Sequence, residues 1–222
     1  MNIGIVIAAS IDRNAEMDIA VAMVEDFVHR NVGSKVYASR LYRGGEYGSL
    51  YPARFALVGD ILSLHDYALW MDVDTCLVDP TFDLESALGT WSTPSTRLWI
   101  AQDWNGLCAC CFVARNCEWC KDFLKTVGFL AQLRDRGGQK EQAVLKMMLY
   151  DVPGVAWHLG LLPTSVVADQ TVKPIPIPLL WHLSMGEKRV QYMKEVQSAV
   201  SLGVFEQYAK GWDGMGHGVR YD

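Results

Sequence analysis

Short apolar runs that alternate with segments of helical periodicity are the feature that most constrains the fold. Ile3–Ala9 is almost wholly apolar and rich in β-branched residues, which is typical of a strand covered on both faces of a sheet. From Ala15 to His29 apolar residues recur at helical spacing, and Gly33 follows shortly after, as expected beyond a helix end. A second apolar run, Tyr67–Met71, continues the alternation. The pattern predicts an α/β fold with a mostly parallel central sheet flanked by helices.

The length and charge of the chain limit the function classes that it can serve. Its 222 residues suffice for one full-sized domain, and no linker or internal repeat divides them. The 25 acidic and 20 basic residues give a net charge of -5, which argues against a nucleic-acid partner, because phosphate backbones select an excess of basic residues. No apolar run approaches the ~20 residues of a membrane span, and the first residues are typical of a strand rather than a signal peptide. We expect a soluble, cytoplasmic protein, in the host cytoplasm if the chain is viral.

The segment directly after the run Tyr67–Met71 carries the strongest chemical signal. Asp72 and Asp74 are two residues apart, so their carboxylates project from one face at the end of the strand. Two like charges cannot both be buried without partners, and ligands bind at the C-terminal edge of open α/β sheets. A divalent cation that bridges both carboxylates to a diphosphate satisfies both charges. The alternative is that the aspartates merely cap the strand.

Two enzyme classes place an Asp-x-Asp sequence at the end of such a strand. In haloacid-dehalogenase-type phosphatases the first aspartate is the nucleophile, and a downstream lysine and a Gly-Asp motif complete the site. The one Gly-Asp pair of this chain, Gly59-Asp60, lies upstream and inside a predicted helix. The second class, the sugar-nucleotide-dependent glycosyltransferases of GT-A fold, is therefore favoured.

Three parts of the chain within residues 50–150 add to the Asp-x-Asp signal. They are Pro52–Leu57 with Tyr67–Asp74 and Pro80–Leu84, then Asp103–Leu107 with Phe112–Asn116, then Glu141–Ala143. In sequence and in order these parts resemble glycosyltransferase family 34, which contains galactosyl-, mannosyl- and xylosyltransferases, so the resemblance is far more specific than Asp-x-Asp alone. It implies a GT-A (nucleotide-diphospho-sugar transferase) fold with a Rossmann-like N-terminal half.

The resemblance also implies how a single domain over residues 1–222 is organised. Residues 1–100 would form the nucleotide-sugar donor half, residues 101–200 the acceptor half, and residues 204–222 a C-terminal tail. The implied reaction is metal-dependent transfer of a hexose or pentose from a UDP-sugar to a carbohydrate or glycoprotein acceptor, with retention of configuration. The sequence leaves the sugar, the acceptor and the oligomeric state open.

A fourth resemblance lies near the C-terminus, where His182 is followed by Gly186 and Lys188. This order is similar to the His-Gly-Lys element with which related retaining enzymes complete the metal site and hold the diphosphate. Two alternatives stay open. His182 can be an ordinary half-buried histidine, and His158 can be the ligand, although it lacks the glycine and lysine that follow His182.

The site that we expect combines metal, donor and catalytic residues. The metal is Mn²⁺, with Mg²⁺ as the alternative, because an imidazole beside two carboxylates suits Mn²⁺ better. If the enzyme inverts configuration instead, Asp103 or Glu141 is the natural general base. The metal ligands are Asp72, Asp74 and His182; the donor-binding residues are Ala8, Ala9, Ser10 and Tyr37 at the uridine and Arg54, Asp72, Val73, Asp74, Gly186 and Lys188 at the diphosphate; the catalytic residues are Gln142 beneath the anomeric carbon, Asp103 at the donor sugar or acceptor, and Glu141.

Five cysteines crowd into residues 108–120. We expect those in the apolar run 108–111 to pack as buried thiols in a strand, because the gap to the pair at 117 and 120 is shorter than the ~12–20 residues that separate zinc-ligand pairs. Where the family continues Leu-Asn-x-Gly, Leu107 is here followed by Cys108-Ala109-Cys110, so a weak thiol donor replaces an amide on the acceptor side. This departure leaves a second interpretation open, namely a nucleotide-sugar-binding module without turnover.

Overall fold

A computed structural model describes residues 2–10, 13–30, 33–41, 50–90, 92–103, 106–133, 140–162, 166–169, 178–183 and 188–211. The strands of these residues are β1 (Ile3–Ser10), β2 (Lys35–Leu41), β3 (Tyr67–Asp72), β4 (Thr75–Leu77), β5 (Leu98–Asp103), β6 (Gly106–Arg115), β7 (Leu159–Leu161), β8 (Val167–Asp169) and β9 (Leu180–His182). The helices are α1 (Asn14–Arg30), α2 (Leu50–Leu62), α3 (Leu84–Thr90), α4 (Glu118–Leu133), α5 (Lys140–Asp151), α6 (Arg189–Ser201) and α7 (Phe205–Gly211), with a short 3₁₀ helix at Val155–His158.

The larger of the two described sheets has six strands in the order β2-β1-β3-β6-β5-β7. β1 lies parallel to β2 and to β3, and β7 lies parallel to β5. β6 runs antiparallel to both of its neighbours, β3 and β5. All strands of this sheet except β6 therefore run in one direction, which confirms the predicted α/β fold with a mostly parallel central sheet.

β1 shows why the unbroken apolar run of the sequence forms a central strand. Every residue from Ile3 to Ala9 is buried, because side chains of alternate residues enter cores on opposite faces of the sheet. Ile5 and Ile7 lie in a core that includes residues of α1 and α6, whereas Val6 and Ala8 lie in a core that includes residues of α2 and α4. The sheet is therefore a middle layer between two layers of helices.

A second sheet, with the strand order β4-β9-β8, brings the C-terminal part of the chain to the end of β3. Val73 and Asp74 form the turn between β3 and β4. β4 pairs antiparallel with β9, so that Thr75 lies opposite His182. The peptide N–H of Leu183 also donates to the carbonyl oxygen of Asp74 at 2.8 Å. This pairing places the Trp181-His182 segment beside the Asp-x-Asp segment, from which it is distant in sequence.

The helices bury one face against the sheet. In α4 the buried residues include Phe123, Leu124, Val127 and Ala131, a spacing of three to four that places them on one side of the helix. None of the helices in the described part of the chain combines the length and the apolar content that crossing a membrane requires.

The range 204–222, which the sequence analysis expects as a C-terminal tail, begins with a helix. Gly203 has a positive φ of 69°, which lets the chain turn, and the helix α7 follows. Phe205 and Ala209 of α7 are buried, and the ring of Phe205 lies 5.9 Å from that of Trp181. A helix of two turns contains too few periods for sequence periodicity to predict it. Residues 212–222 lie outside the described residues.

Candidate active site

Asp72, Asp74 and His182 meet at the C-terminal end of β3. Asp72 is the last residue of β3, Asp74 lies in the turn that follows, and His182 is the last residue of β9. One carboxylate oxygen of each aspartate and one ring nitrogen of the histidine all lie within 4.8 Å of one another. Ligands of open α/β folds bind at this edge of the sheet. The structure thus brings together the three residues that the sequence analysis expects as metal ligands.

Asp74 is buried, with 5% of its surface exposed, and its two carboxylate oxygens have different neighbours. Oδ2 lies 3.2 Å from Nη2 of Arg13 and 3.6 Å from Nη1 of Arg189. Oδ1 lies 3.5 Å from Nε2 of His182. Burial alone would raise the pKa of the Asp74 carboxyl, but the imidazole and the two guanidinium groups outweigh burial and hold this pKa below its usual range.

Asp72 has other partners. Its Oδ1 accepts a hydrogen bond of 2.7 Å from Nε1 of Trp70 and lies 3.3 Å from Nη1 of Arg54. Burial raises the pKa of the Asp72 carboxyl, Arg54 opposes this shift, and the nearby charge of Asp74 adds to it. The two carboxyl groups of the Asp-x-Asp sequence are therefore shifted in opposite directions by their surroundings.

Arg54 of α2 contacts residues of both β3 and β6 beside the two aspartates. It is buried, with 3% of its surface exposed, and its Nη1 donates to the carbonyl oxygen of Ala109 at 2.6 Å. Its guanidinium carbon lies 5.2 Å from the centre of the Trp70 ring, within the range of a cation–π contact. Arg54 therefore links α2 to both β3 and β6, and it places its charge beside Asp72.

Three charged residues near Asp74 were missed by the sequence analysis. Glu16 of α1 accepts a hydrogen bond from Nε of Arg13 at 3.3 Å and lies 3.8 Å from Nη1 of Arg189. One signal could have found the arginines: Arg13 directly precedes α1 and Arg189 is the first residue of α6, and cations are unfavourable at helix N-termini unless an anion is near. Lys188, which the sequence analysis selects, is exposed and directly precedes Arg189.

The residues of the site fit a divalent cation. Within the part of the chain that the structure describes, Asp74 Oδ1 is buried without a hydrogen-bond partner, and the nitrogen of His182 at 3.5 Å lies at the limit of hydrogen bonding. Leaving a buried charged acceptor unsatisfied costs about 1–3 kcal/mol or more, which a bound cation would remove. Two carboxylates and an imidazole are a donor set that suits Mn²⁺.

The end of β1 borders this cluster. Ala8 lies opposite Asp72 in the register of β1 and β3, so Ala9 and Ser10 continue past the end of β3. Val73 is buried, with 2% of its surface exposed, and its side chain packs into the core on the α1 face of the sheet. The side chain of Val73 therefore faces the core, as do those of Ala8 and Ala9, and strand pairing places the end of β1 beside Asp72.

Tyr37 lies apart from the cluster. It pairs with Val6 in the middle of β1, and its hydroxyl group lies 2.8 Å from Nε2 of His65. His65 in turn hydrogen-bonds to the side chain of Asn2, which precedes β1. Asn2 precedes β1 and His65 precedes β3, so both lie at the N-terminal ends of these strands, whereas the site lies at their C-terminal ends. The structure thus does not bring the Tyr37 hydroxyl group to Asp72, and its role at the uridine stays a prediction.

Two of the residues that the sequence analysis assigns to the sugar and the acceptor, Asp103 and Gln142, belong to β5 and α5. The backbone of Asp103 pairs with Gly106, whose φ of 105° favours glycine. α5 packs against the turn between β5 and β6, since a Cβ atom on Gly106 would lie 3.5 Å from Cε of Lys146. Gln142 is half-buried one helical turn before Lys146. The side chains of Asp103 and Glu141, and all of Trp104, Asn105 and Gly186, lie outside the described residues.

Two cysteines of β6 lie close to His182. Cys108, Cys110 and Cys111 are buried free thiols, as the sequence analysis expects. The Sγ atoms of Cys108 and Cys110 and one ring nitrogen of His182 all lie within 4.8 Å of one another. A hydrogen bond with Cys108, together with burial, raises the pKa of the Cys110 thiol well above its usual value.

His158, the alternative metal ligand, lies elsewhere in the fold. Its Nδ1 contacts the carbonyl oxygen of Ser95 at 2.8 Å, and its ring centre lies 4.5 Å from that of Trp119 in α4. These contacts explain His158 as a packing residue. His182 is the histidine that the structure places beside the two aspartates.

Comparisons with known proteins agree with this geometry. Residues 90–194 match the model of the galactosyl transferase GMA12/MNN10 family, glycosyltransferase family 34. The matched range includes Asp103, Gln142 and His182 and begins after Asp74. A comparison with curated proteins found no match.

Solved structures with a similar fold include glycosyltransferases. A glycosyltransferase involved in the glycosylation of the major capsid of PBCV-1 has a TM-score of 0.66 at 14% identity, over 88% of this chain and 100% of that chain. The apo form of the glycosyltransferase GlyE of Streptococcus pneumoniae TIGR4 has a TM-score of 0.59 at 15% identity, over 94% of this chain and 64% of that chain. The galactosyltransferase LgtC, in complex with donor and acceptor sugar analogs, has a TM-score of 0.56 at 12% identity, over 88% and 95% of the two chains. The chain is therefore a protein of the GT-A glycosyltransferase fold that resembles the galactosyl transferase GMA12/MNN10 family.

Proposed function

We propose that this protein is a metal-dependent glycosyltransferase that moves a hexose or pentose from a UDP-sugar to a carbohydrate or glycoprotein acceptor. The observation that carries the proposal is the cluster of Asp72, Asp74 and His182 at the end of β3 in a GT-A fold. The family match over residues 90–194 supports it as well, because that range includes His182 of the same cluster.

The proposed metal ligands lie close together in the protein without a bound ligand. Asp72, Asp74 and His182 would hold Mn²⁺, with Mg²⁺ as the alternative. When bound, such an ion supplies positive charge that stabilises the leaving diphosphate. The guanidinium group of Arg13 contacts Oδ2 of Asp74, and that of Arg54 contacts Oδ1 of Asp72. These contacts fix the two carboxylates in position. Groups fixed in this way need no reorganisation during the reaction.

The donor would lie along the edge formed by β1 and β3. Ala8, Ala9 and Ser10 would border the uridine, and Tyr37 is a further predicted uridine contact. Arg54, the turn at Val73 and the segment from Gly186 to Lys188 would surround the diphosphate. Lys188 is exposed at the start of α6, so its ammonium group is available to a phosphate, whereas the buried Arg54 acts through Asp72.

The charges of the site predict that metal and diphosphate bind together. Among the described residues, the carboxylates of Asp72, Asp74 and Glu16 are matched by three guanidinium groups, those of Arg13, Arg54 and Arg189. A dication alone would leave this balanced cluster with excess positive charge, and a diphosphate alone would leave it with excess negative charge. Each ligand therefore favours the binding of the other.

The sugar would be handled by the turn between β5 and β6 and by the start of α5. We assign Gln142 to the face of the anomeric carbon, Asp103 to the donor sugar or acceptor, and retention to the stereochemical outcome. If the product is inverted, Asp103 or Glu141 becomes the general base. Gln142 supports this assignment by its place in α5, which packs against Gly106 next to Asp103.

The test of the proposed reaction is release of UDP from a panel of UDP-sugars with and without Mn²⁺, with simple sugars and with water as acceptors. We expect Mn²⁺-dependent turnover that EDTA abolishes and that Asp74→Asn reduces at least a hundredfold, because the loss of one electrostatic group in a reaction site costs about 3 kcal/mol. Asp83→Asn is the matched control. Asp83 is an exposed carboxylate whose bonds are to Ser86.

Two other outcomes would each support a different function, and a third would change the stereochemistry of the proposed reaction. Binding of a UDP-sugar without turnover on any acceptor would support a nucleotide-sugar-binding module. Release of phosphate from simple phosphomonoesters would support the phosphatase. Anomeric NMR analysis of the product separates retention from inversion, and an inverted product would replace Gln142 with Asp103 or Glu141 as the central catalytic residue.

A further inference from the structure

Cys108 and Cys110 form a second donor set beside the aspartates. The two Sγ atoms and one ring nitrogen of His182 lie within 4.8 Å of one another. All three side chains are buried, with exposed fractions of 4%, 4% and 8%. The thiols are free, and the peptide N–H of Cys110 points to Sγ of Cys108 at 3.4 Å. This arrangement differs from a lone buried cysteine, because two thiols and an imidazole converge on one point.

The backbone of β6 explains why the two thiols converge. Cys108 and Cys110 are two residues apart, so a strand places both side chains on one face. The pairing of β5 with β6 shifts register between Ile100 and Ala101, so that residues 109–111 of β6 have no partner in the ladder with β5. Bulges redirect side chains and are frequent beside functional sites. β9 lies at the same edge because it pairs with β4, directly after the Asp-x-Asp turn.

We propose that Cys108, Cys110 and His182 bind a thiophilic divalent cation of the Zn²⁺ class. Thiolate and imidazole are the ligands that select zinc over Mg²⁺ and Mn²⁺. Binding replaces two S–H bonds with two metal–sulfur bonds and releases two protons, and the two thiolates neutralise the dication in this buried place. Three protein ligands leave one tetrahedral position for water or another donor.

Because they share His182, the thiol site and the carboxylate site compete for one ligand. His182 belongs both to the set with Asp72 and Asp74 and to the set with Cys108 and Cys110. A neutral imidazole that binds an ion through one ring nitrogen keeps its proton on the other nitrogen, so His182 serves one ion at a time and the two three-ligand arrangements compete for it. The competition between the two ions rests on the proposed function, whereas the binding of an ion by the thiols does not.

Titration of the protein with Cd²⁺, a spectroscopic substitute for Zn²⁺, tests the thiol site directly. We expect a thiolate-to-cadmium charge-transfer absorption that saturates at one ion per chain. The double variant Cys108→Ser with Cys110→Ser should lose this band, and Cys117→Ser with Cys120→Ser, which removes the same number of thiols, should keep it. Asp74→Asn should also keep it. Absence of the band in the wild type, or its persistence in the first double variant, would overturn the proposal.

The competition has its own readout. Zn²⁺ at one equivalent should weaken the Mn²⁺-dependent binding of UDP at least tenfold in the wild type, and the variant with serines at 108 and 110 should lose this sensitivity. Circular dichroism confirms that the variant is folded, and Cys108→Ala with Cys110→Ala serves if the serines unfold it. Equal Zn²⁺ sensitivity in wild type and variant would contradict the competition. A cadmium band without any Mn²⁺-dependent binding of UDP would instead leave the thiol site standing and remove the proposed function.

Discussion

Asp72 and Asp74 are separated by one residue, yet their surroundings differ. Asp74 is enclosed by His182 and two arginines, which lower its pKa, whereas burial raises the pKa of Asp72. Opposite shifts in a close carboxylate pair are typical of functional sites rather than of strand caps. At the scale of single residues, the partners of the carboxylates therefore matter as much as the carboxylates themselves.

Replacement of Arg54 tests its role as a brace for Asp72. Arg54→Met should lower the free energy of unfolding by about 2–4 kcal/mol, because a half-buried carboxylate loses its counter-charge and a buried carbonyl loses its donor. Urea denaturation measures the change. Lys210→Met is the control, since it breaks an ion pair whose partners are both exposed and should change stability little. Equal effects of the two substitutions would remove Arg54 from this structural role.

At the scale of elements, the sheet and the Asp-x-Asp strand were predictable, and the closure of the site was only partly so. Apolar runs and helical spacing are local signals, and they identify β1, β3 and α1. Arg13 and Arg189 each contact both Asp74 and Glu16, which joins the starts of α1 and α6. No local pattern encodes a contact between such distant elements. His182 was found through a resemblance, because three-residue strands such as β9 carry no periodicity.

The packing of β1 against α2 supports a prediction about glycine. A Cβ atom on Gly4 would lie 2.5 Å from Cγ2 of Ile61 and 2.9 Å from Cδ2 of His65, so Gly4→Ala should destabilise the protein by about 1–3 kcal/mol through overpacking. At Gly59 in α2 the corresponding atom meets nothing within 4 Å. Gly59→Ala should be neutral or raise stability by up to about 1 kcal/mol, because alanine favours helix.

Thermal unfolding of the two alanine variants measures this difference. The expected order of midpoints is Gly59→Ala at or above the wild type and Gly4→Ala below it. A Gly4→Ala variant as stable as the wild type would mean that β1 and α2 are less closely packed than the structure shows.

At the scale of the whole molecule, an acidic chain with a net charge of -5 surrounds a site in which the described carboxylates and guanidinium groups balance. The end of β3 and the turn after it supply Asp72 and Asp74, and α1 supplies Glu16. The helices α2 and α6 and the residue just before α1 supply the arginines. We expect such a site to accept a dication and a diphosphate together more readily than either alone. The deficit of basic residues in the composition is thus compatible with a phosphate-containing ligand that binds with its own cation.

Isothermal titration of Mn²⁺ in the absence and presence of saturating UDP tests this coupling. We expect UDP to tighten the binding of Mn²⁺ about tenfold or more, a coupling of ~1.4 kcal/mol, and the reciprocal titration must give the same factor. UDP with Na⁺ as the only cation should bind weakly. Independent binding of the two ligands would show that the charge balance of the cluster does not control its ligands.

The central claim is that Asp72, Asp74 and His182 hold the cation through which a uridine diphosphate is bound. The most direct measurement compares the Mn²⁺-dependent dissociation constant of UDP for the wild type and for Asp74→Asn, with circular dichroism to confirm folding and Asp83→Asn as the exposed control. Our account predicts that UDP binds the wild type and the control in a Mn²⁺-dependent manner and binds Asp74→Asn at least tenfold more weakly, with little response to Mn²⁺. Unchanged affinity and unchanged Mn²⁺ dependence in a folded Asp74→Asn protein would contradict it.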